Sequence, residues 1–349
     1  MALSNIKETP EVTAKIIRLT LKHKWTLSRN TSAFKENVLI YLRYKGITGY
    51  GEAAPNVRYG EEAHSTISKI ESVAPLYAEM DIFKQEAIEK RIKHEISDNS
   101  CARAALDIAL MDWLAKAQNI PLYKLFGCQN KQIVPTSFSI GIDQPDIIKK
   151  KVEEAADFQI LKVKLGGSND RQIIEAIRAV TDKPIRVDAN EGWKDKHKAL
   201  DIIRWLKSEG VELIEQPMPA EMLKEITWLH ERTDVPLIAD ESVKSCGEIP
   251  QIQDAFDGIN IKLMKAGGIQ EALRMVAMAK KLNMKIMLGC MIETSVAISA
   301  ALHLASQADY IDLDGHLLIQ EDPFSGIDIV NGVLQIPDKP GLGIYPASV

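Results

Sequence analysis

The sequence predicts an α/β protein in which a closed barrel of parallel strands and helices follows a smaller α+β unit. From residue 133 onward, eight short apolar runs alternate with seven helical segments. Strict alternation of this kind is typical of a parallel sheet, and eight strands with helical crossovers favour a closed barrel over an open sheet. No G-x-G-x-x-G stretch lies at a strand–helix turn, which argues against a dinucleotide-binding fold.

The first part of the chain has the pattern of a three-stranded meander followed by helices. Apolar alternation predicts strands over residues 14–21, 37–44 and 47–53. Residues 23–33 are polar and have little periodicity, so we expect a loop there. Helices are predicted over residues 61–78, 83–96 and 102–118, the last of them strongly amphipathic.

The later strands and the end of the chain give the domain organisation. The barrel strands are predicted at 133–139, 160–164, 185–188, 213–215, 237–240, 259–262, 285–289 and 310–313. Beyond them the period is lost and the chain becomes rich in Gly and Pro. We therefore expect an N-terminal α+β domain (1–125), a barrel domain (126–318) and a C-terminal segment (319–349) that returns to the N-terminal domain.

Composition and charge exclude several classes of protein. The net charge is −5 and no basic tract occurs, so a nucleic-acid partner is not expected. The most apolar long window, residues 286–305, is interrupted by Glu293 and His303, so no membrane span is predicted. The first eight residues lack the apolar core of a signal peptide, and the four cysteines are scattered. We expect reduced thiols and a cytoplasmic location.

Five consecutive predicted strands end on a charged residue, at intervals of 24, 27, 25 and 22 residues: Lys164, Asp188, Glu215, Asp240 and Lys262. Such positions lie at the mouth of a barrel, where barrel enzymes keep their chemistry. Adjacent strands are about 4.8 Å apart, so three successive carboxylates can converge on one ion. Ligation by oxygen alone favours Mg²⁺ first and Mn²⁺ second. The alternative is that each acid caps the helix that follows it.

Lysines flank these acids. Lys162 and Lys164 are two residues apart and face the same side of their strand, while Lys262 ends the strand opposite in a ring of eight. A lysine serves as a base near neutral pH when its pKa falls from about 10.4 toward roughly 7–8, and a nearby ammonium or dication acts in that direction. Two opposed lysines suit a 1,1-proton transfer. Lys265 competes with Lys262 for this role, and a solvated lysine at a strand end is the simpler alternative.

These motifs resemble those of the enolase superfamily, in particular its muconate-lactonizing subgroup. The matching stretches are Lys162-Val-Lys164, Asp188-Ala-Asn190, Glu215-Gln-Pro217, Asp240-Glu241-Ser242 and Asn260-Ile-Lys262-Leu-Met-Lys265-Ala-Gly-Gly268. The resemblance implies a TIM-like (β/α)7β barrel with an N-terminal capping domain. It also implies one Mg²⁺ per subunit on the three acids, with an enediolate intermediate. Supporting positions implied around the ligands and lysines are Asn190, Glu241 and Glu293.

The eighth strand ends in Asp312-Leu313-Asp314, and residues two apart share a face. Two more carboxylates beside three acids require a cationic partner, and a substrate α-ammonium answers that need. This pattern resembles the signature of the dipeptide epimerases. The resemblance implies further contacts with the substrate. It implies that Lys162 assists electrostatically and that Arg29, in the cap loop, meets a substrate carboxylate. The positions that match the lining of the dipeptide pocket are Thr136, Cys290, Met291 and Ile292.

The sequence thus predicts a Mg²⁺-dependent dipeptide epimerase, an isomerase that inverts the α-carbon of the C-terminal residue through Lys164 and Lys262. The family suggests Ala as the first residue; acidic and apolar second residues both stay open, with a lean toward small or apolar ones. An o-succinylbenzoate synthase or N-acylamino acid racemase is the alternative, but it leaves Asp312 and Asp314 unexplained. A non-catalytic binding protein is a remote one. The expected partner is a small dipeptide, and a homo-oligomer is left open.

Overall fold

A computed structural model describes residues 8–26, 31–128 and 134–347 of the 349-residue chain. It confirms the predicted fold class, with an antiparallel three-stranded sheet and its helices placed against an eight-stranded parallel barrel. None of the helices in the described ranges combines the length and apolarity that crossing a membrane requires. All four cysteines are free.

The N-terminal part contains a meander and five helices. Its elements are β1 (Glu11–Thr26), β2 (Thr31–Tyr44), β3 (Ile47–Ala53), α1 (Ala63–Val73), α2 (Leu76–Glu79), α3 (Gln85–Glu95), α4 (Ser100–Ala117) and α5 (Leu122–Leu125). The loop predicted over residues 23–33 is wrong for most of its length, because β1 continues to Thr26 and β2 begins at Thr31. Cross-strand pairing satisfies the backbone there whatever the side chains are, and a register shift between Thr20 and Trp25 hides the alternation.

Two helix predictions also need correction. The helix expected over residues 61–78 is broken at Pro75, which has no N–H to continue the ladder, so α1 and α2 are separate. Helix α4 is buried on nearly all sides, not amphipathic, because it lies between β3 and the barrel helices. Gly51 permits this contact, since a Cβ there would lie 2.0 Å from the Ala105 carbonyl oxygen.

The barrel has eight strands in chain order around the ring. They are β4 (Ser137–Ile140), β5 (Ile160–Lys164), β6 (Ile185–Asp188), β7 (Val211–Glu215), β8 (Leu237–Ala239), β9 (Gly258–Ile261), β10 (Lys285–Gly289) and β11 (Tyr310–Asp312). The helices between them are α6 (Pro145–Glu154), α7 (Asp170–Arg178), α8 (Lys196–Ser208), α9 (Leu223–His230), α10 (Ile249–Ile252), α11 (Leu263–Ala266), α12 (Ile269–Lys281) and α13 (Ser295–Leu302). A parallel bridge between Thr136 and Ile311 closes the ring.

After the barrel, four short strands follow: β12 (Phe324–Ser325), β13 (Ile329–Val330), β14 (Val333–Leu334) and β15 (Tyr345–Pro346). This last segment contacts the N-terminal part. Leu342 N donates to Asp112 Oδ1 at 2.8 Å, and the Phe324 ring meets the Tyr50 ring edge-on at 5.2 Å between centroids. The domain limits stated above stay a prediction, but these contacts bring the end of the chain to the side of the cap.

Candidate active site

Strand register sets three charged side chains side by side at the barrel mouth. Lys164 on β5 pairs with Asp188 on β6, and Asp188 pairs in turn with Glu215 on β7. Asp240 follows β8 directly, and Lys262 follows β9. Because parallel strands present their carboxyl ends at one edge, residues separated by about 25 positions in the chain become neighbours.

The three carboxylates form a compact oxygen cluster. Ligand atoms of Asp188, Glu215 and Asp240 all lie within 4.8 Å of one another, and all three residues are buried. Glu215 Oε2 and Asp240 Oδ1 have the ammonium groups of Lys162 and Lys265 at 2.7 and 2.5 Å as their partners among the described residues. Three buried carboxylates this close together repel one another unless positive charge lies among them. The set therefore fits a hard divalent cation such as Mg²⁺, which takes oxygen ligands only.

Lysines flank the acid cluster from opposite sides of the ring. Lys164 Nζ lies 2.6 Å from Asp188 Oδ2, and Lys262 Nζ lies 2.7 Å from Asp240 Oδ2. Their strands, β5 and β9, are four places apart among eight. Both side chains line one cavity, so a small molecule bound on the acids would have an amine near each face.

The charges around these lysines differ from the sequence-based expectation. Burial lowers the pKa of Lys162, but the carboxylates of Asp312, Glu215 and Asp188 outweigh it, so that pKa lies well above its ordinary value. For Lys262, burial likewise lowers the pKa, but the carboxylate of Asp240 outweighs burial, so this pKa also lies well above its ordinary value. The expected lowering neglected the acids, because a carboxylate oxygen lies 2.6 Å from Lys162 Nζ and 2.7 Å from Lys262 Nζ. A cation on the three carboxylates would weaken this pairing.

Lys265, the competing candidate base, lies away from the cavity. Its Nζ donates to the backbone carbonyls of Asp240, Val243 and Asn260 at 2.5, 3.2 and 3.1 Å. It is buried on α11 and is not among the residues that line the cavity. It holds the loop after β8 in place, whereas Lys262 faces the cavity.

Asp312 and Asp314 lie at the end of β11 and both line the cavity. Asp312 Oδ2 is 2.6 Å from Lys162 Nζ, and Asp314 Oδ2 accepts a hydrogen bond from Ser139 N at 2.6 Å. Burial, followed by the charge of Asp312, raises the pKa of Asp314 to about 7. Lys162 contacts Asp312, whereas no ion pair joins Asp314 to a described lysine, so the carboxyl group of Asp314 can accept a second cation.

The cavity that contains these groups has a volume of about 260 Å³. Besides Lys162, Asp312 and Asp314, its barrel wall includes five more of the residues predicted for substrate binding or support: Asn190, Glu241, Cys290, Met291 and Ile292. The N-terminal part covers the opening with Trp25, Lys35, Asn37 and residues 54–59. The site thus lies between the barrel and the cap. The barrel contributes charged and polar side chains, and the cap contributes both polar and apolar ones.

Two predicted positions do not line the cavity. Thr136 is buried in the barrel wall, where its hydroxyl donates to Ser137 O and accepts from Leu313 N, so it does not reach the cavity. Glu293 is buried behind the wall and accepts from Met291 N, with no hydrogen bond to Lys262; burial, then Glu52, raises its pKa to about 8. Arg29 lies outside the described residues.

Two further residues of the site stand within the matching motifs, but the sequence indicated no role for them. Asn260 Nδ2 donates to Glu215 Oε1 at 2.8 Å, and its position two residues before Lys262 could have indicated a shared face. Gln216 Oε1 accepts from Asp240 N and Ser242 N at 3.0 and 3.1 Å and so fixes the Asp240 loop. The side chain of Gln216 reaches across to the next strand end, which one-dimensional spacing does not reveal.

A bidentate ion pair joins the cap to the barrel beside the acids. Arg58 Nε and Nη2 donate to Glu191 Oε2 and Oε1 at 2.8 and 2.9 Å, and Glu191 Oε1 also accepts from Ala220 N. Glu191 is buried and has a left-handed φ of 64°. Arg58 and Glu191 are 133 residues apart, so no local pattern predicts the pair. Bidentate geometry of this kind fixes orientation, here of the cap loop over the cavity.

Lys35 is a second cationic side chain of the cap for which the sequence suggested no role. It lies on β2 two residues before Asn37, which is buried and donates to Ile292 O, so the two share the face toward the barrel. Lys35 is half-buried, and no hydrogen bond or ion pair joins it to any residue in the described ranges. Burial lowers its pKa. A partly desolvated ammonium without a partner favours an anionic ligand.

Comparison with known families defines the class of protein. Residues 11–127 match the mandelate racemase / muconate lactonizing enzyme N-terminal domain, and residues 148–348 match the enolase C-terminal domain-like family. The chain therefore belongs to the mandelate racemase / muconate lactonizing enzyme group of the enolase superfamily, as the sequence motifs predicted.

Individual relatives narrow the class to the isomerases. The L-Ala-D/L-Glu epimerase of Bacteroides thetaiotaomicron is 44% identical, over 93% of this chain and 85% of that protein. The substrate-liganded L-Ala-D/L-Glu epimerase of Bacillus subtilis superposes with a TM-score of 0.92 at 31% identity, covering 98% and 100% of the two chains. A dipeptide epimerase from Cytophaga hutchinsonii, complexed with Mg and D-Ala-L-Val, gives a TM-score of 0.91 at 27% identity, covering 97% and 96%. This chain is an isomerase of the same family.

Proposed function

We propose that the protein is a Mg²⁺-dependent dipeptide epimerase that inverts the α-carbon of the second residue. The observation that carries the proposal is the placement of Lys164 and Lys262 on either side of the acid cluster, with Asp312 and Asp314 at the end of the same cavity. The relatives named as epimerases of dipeptides support the same substrate class.

The residues divide the task between them. Asp188, Glu215 and Asp240 would hold one Mg²⁺, which stabilises the negative charge that develops on the substrate carboxylate. Lys164 and Lys262 face the α-carbon from opposite sides; one removes its proton and the other returns one to the other face. Lys162, paired with Glu215 and Asp312 at 2.7 and 2.6 Å, stays protonated and adds positive charge near the substrate carboxylate.

Asp312 and Asp314 would bind the N-terminal ammonium of the dipeptide. Both are buried, and their partners among the described residues are Lys162 and two serines of β4, Ser137 and Ser139. A substrate ammonium adds the missing positive charge through charge-assisted hydrogen bonds. An o-succinylbenzoate synthase or an acylamino acid racemase handles substrates without that ammonium, so the aspartates favour the dipeptide.

Lys35 indicates that the second residue carries an acidic side chain. The sequence left acidic and apolar second residues both open, because the cap loop combines Arg29 with apolar residues, and it leaned toward small or apolar ones. An ammonium that lines the cavity without a protein carboxylate gains most from an anion supplied by the substrate. We therefore infer a preference for Glu or Asp over neutral residues at that position.

Incubation with Mg²⁺ and a library of dipeptides in D₂O tests the function. An epimerase incorporates one deuterium at the second α-carbon and produces the diastereomer. Incorporation without the diastereomer would contradict the two-base mechanism. Binding of dipeptides without any exchange would identify the chain as a binding protein instead.

Asp314→Asn is expected to lower kcat/KM for free dipeptides roughly tenfold to a hundredfold, because one charge-assisted hydrogen bond to the ammonium is weakened. The Ser139 N–H retains an oxygen acceptor, so the fold should persist. The matched control is the N-acetylated dipeptide, which lacks the charge and should lose nothing further. Equal losses on both substrates would argue against recognition of the amine.

Lys35→Met is expected to lower kcat/KM for Ala-Glu roughly tenfold to a hundredfold and to leave Ala-Gln nearly unchanged. The two dipeptides differ only in the charge and donor character of the side chain, so their ratio isolates the ion pair. Lys35→Arg retains the charge and serves as the control. If Lys35→Met affected Ala-Glu and Ala-Gln alike, the lysine would not select the acidic residue.

A further inference from the structure

A second cavity of about 160 Å³ adjoins the substrate cavity next to Asp314. The two cavities share Trp25, Ser139 and Leu318 as walls. Ser139 is the residue whose backbone N–H donates to Asp314 Oδ2. This second cavity therefore begins where the proposed ammonium site ends, on the side away from the acid cluster.

The lining of the second cavity is largely apolar. Its walls are formed by the side chains of Leu21, Trp25, Phe138, Phe158, Leu317 and Leu318. The Phe138 and Phe158 rings lie 4.7 Å apart between centroids and form one side.

The charged groups at the edge of this cavity are paired or exposed. His23 Nε2 lies 2.7 Å from Glu154 Oε2, and Lys151 Nζ lies 3.0 Å from Asp143 Oδ2. Lys22 is exposed to solvent. Glu154 is the carboxylate among the described residues that line the cavity, and it is half-exposed and hydrogen-bonded to His23, so these walls offer no unpartnered anion for a basic side chain.

We propose that this cavity binds the side chain of the first residue of the dipeptide, and that the preferred side chain is apolar and larger than a methyl group. The inference rests on the proposed function, because it places the first residue from its ammonium on Asp312 and Asp314. A cavity of roughly 150 Å³ lined by apolar groups is large enough to hold benzene, so Leu and Phe are suitable occupants. The enzyme would thus accept an apolar residue followed by an acidic one.

The test is a series of dipeptides with Gly, Ala, Val, Leu and Phe as first residue. The second residue is held constant at the one that gives the fastest exchange in the D₂O library. We expect kcat/KM to rise roughly 60-fold from Ala to Leu, as full burial of three further carbons would give. A flat series, or one that falls beyond Ala, would overturn the inference while leaving the epimerase proposal intact. If no dipeptide exchanged, the proposed function itself would fail, and this inference with it.

Leu317→Trp provides an independent check, because Leu317 lines the second cavity and not the substrate cavity. The larger ring is expected to fill the space and to cancel the preference for Leu over Ala, measured as the ratio of the two kcat/KM values on the same variant. Val180→Trp, at an exposed position on the turn after α7, is the matched control and should keep the preference. A Leu317→Trp enzyme that still preferred Leu tenfold would place the side chain elsewhere.

Discussion

Replacing Lys262 by methionine is expected to lower the rate of epimerisation by roughly 10³- to 10⁴-fold, because one of the two proton-transfer groups is lost. The variant should still exchange the α-proton of one diastereomer with D₂O, through the remaining Lys164. Lys164→Met should show the opposite selectivity and exchange only the other diastereomer. The measurement is NMR of each pure diastereomer in D₂O with each variant.

The complementary pattern is what the opposed positions of the two lysines require. Lys285→Met, at an exposed lysine on β10, is the control and should leave both exchange rates unchanged. Lys265→Met should lower the melting temperature, since the side chain holds three backbone carbonyls, and should not produce selectivity for one diastereomer. If either base variant still epimerised at the wild-type rate, that lysine could not be a base.

Glu215→Gln is expected to abolish measurable epimerisation, with a loss of at least roughly 10³-fold, and EDTA should do the same to the wild-type protein. Glu215 is the central member of the acid cluster, and the ammonium group of Lys162 lies 2.7 Å from its Oε2. Loss of a residue that hydrogen-bonds to a metal ligand typically costs about 10- to 100-fold in metal affinity or activity. Loss of a ligand itself should therefore cost more. Activity is measured with and without added Mg²⁺.

Thermal unfolding separates metal binding from catalysis in this experiment. Mg²⁺ at about 100 times its Kd should stabilise the wild-type protein by about 2.7 kcal/mol, and the shift in melting temperature should vanish in Glu215→Gln. Glu212→Gln makes the same substitution on the same strand, at an exposed position paired with Arg186, and should retain both shift and activity. A wild-type melting temperature that did not respond to Mg²⁺ would contradict the metal site.

The barrel strands could be predicted closely because a buried parallel strand has a simple signature. The predicted strand 160–164 agrees with β5, and 185–188 agrees with β6, since each is a short segment of β-branched and other apolar residues alternating with charged ones and ends on a charge. The prediction was wrong for residues 23–26 and 31–33, which belong to β1 and β2 and pair across the two strands, Trp25 with Ser32 and Thr26 with Thr31. The helix α4 was predicted, but the expected amphipathic character was wrong, because its burial comes from neighbours that lie far away in the chain.

The sequence by itself determined the family, the barrel and the placement of acids and lysines at strand ends, because strand periodicity fixes which side chains share a face and which end of a strand they occupy. Only the tertiary structure decided that Lys265 supports a loop while Lys262 faces the cavity, that Thr136 lies in the wall, and that Lys35 of the cap lines the site. These outcomes depend on contacts between elements such as β2 and the barrel. Their side chains meet only after the cap has closed over the mouth, so no local spacing encodes them.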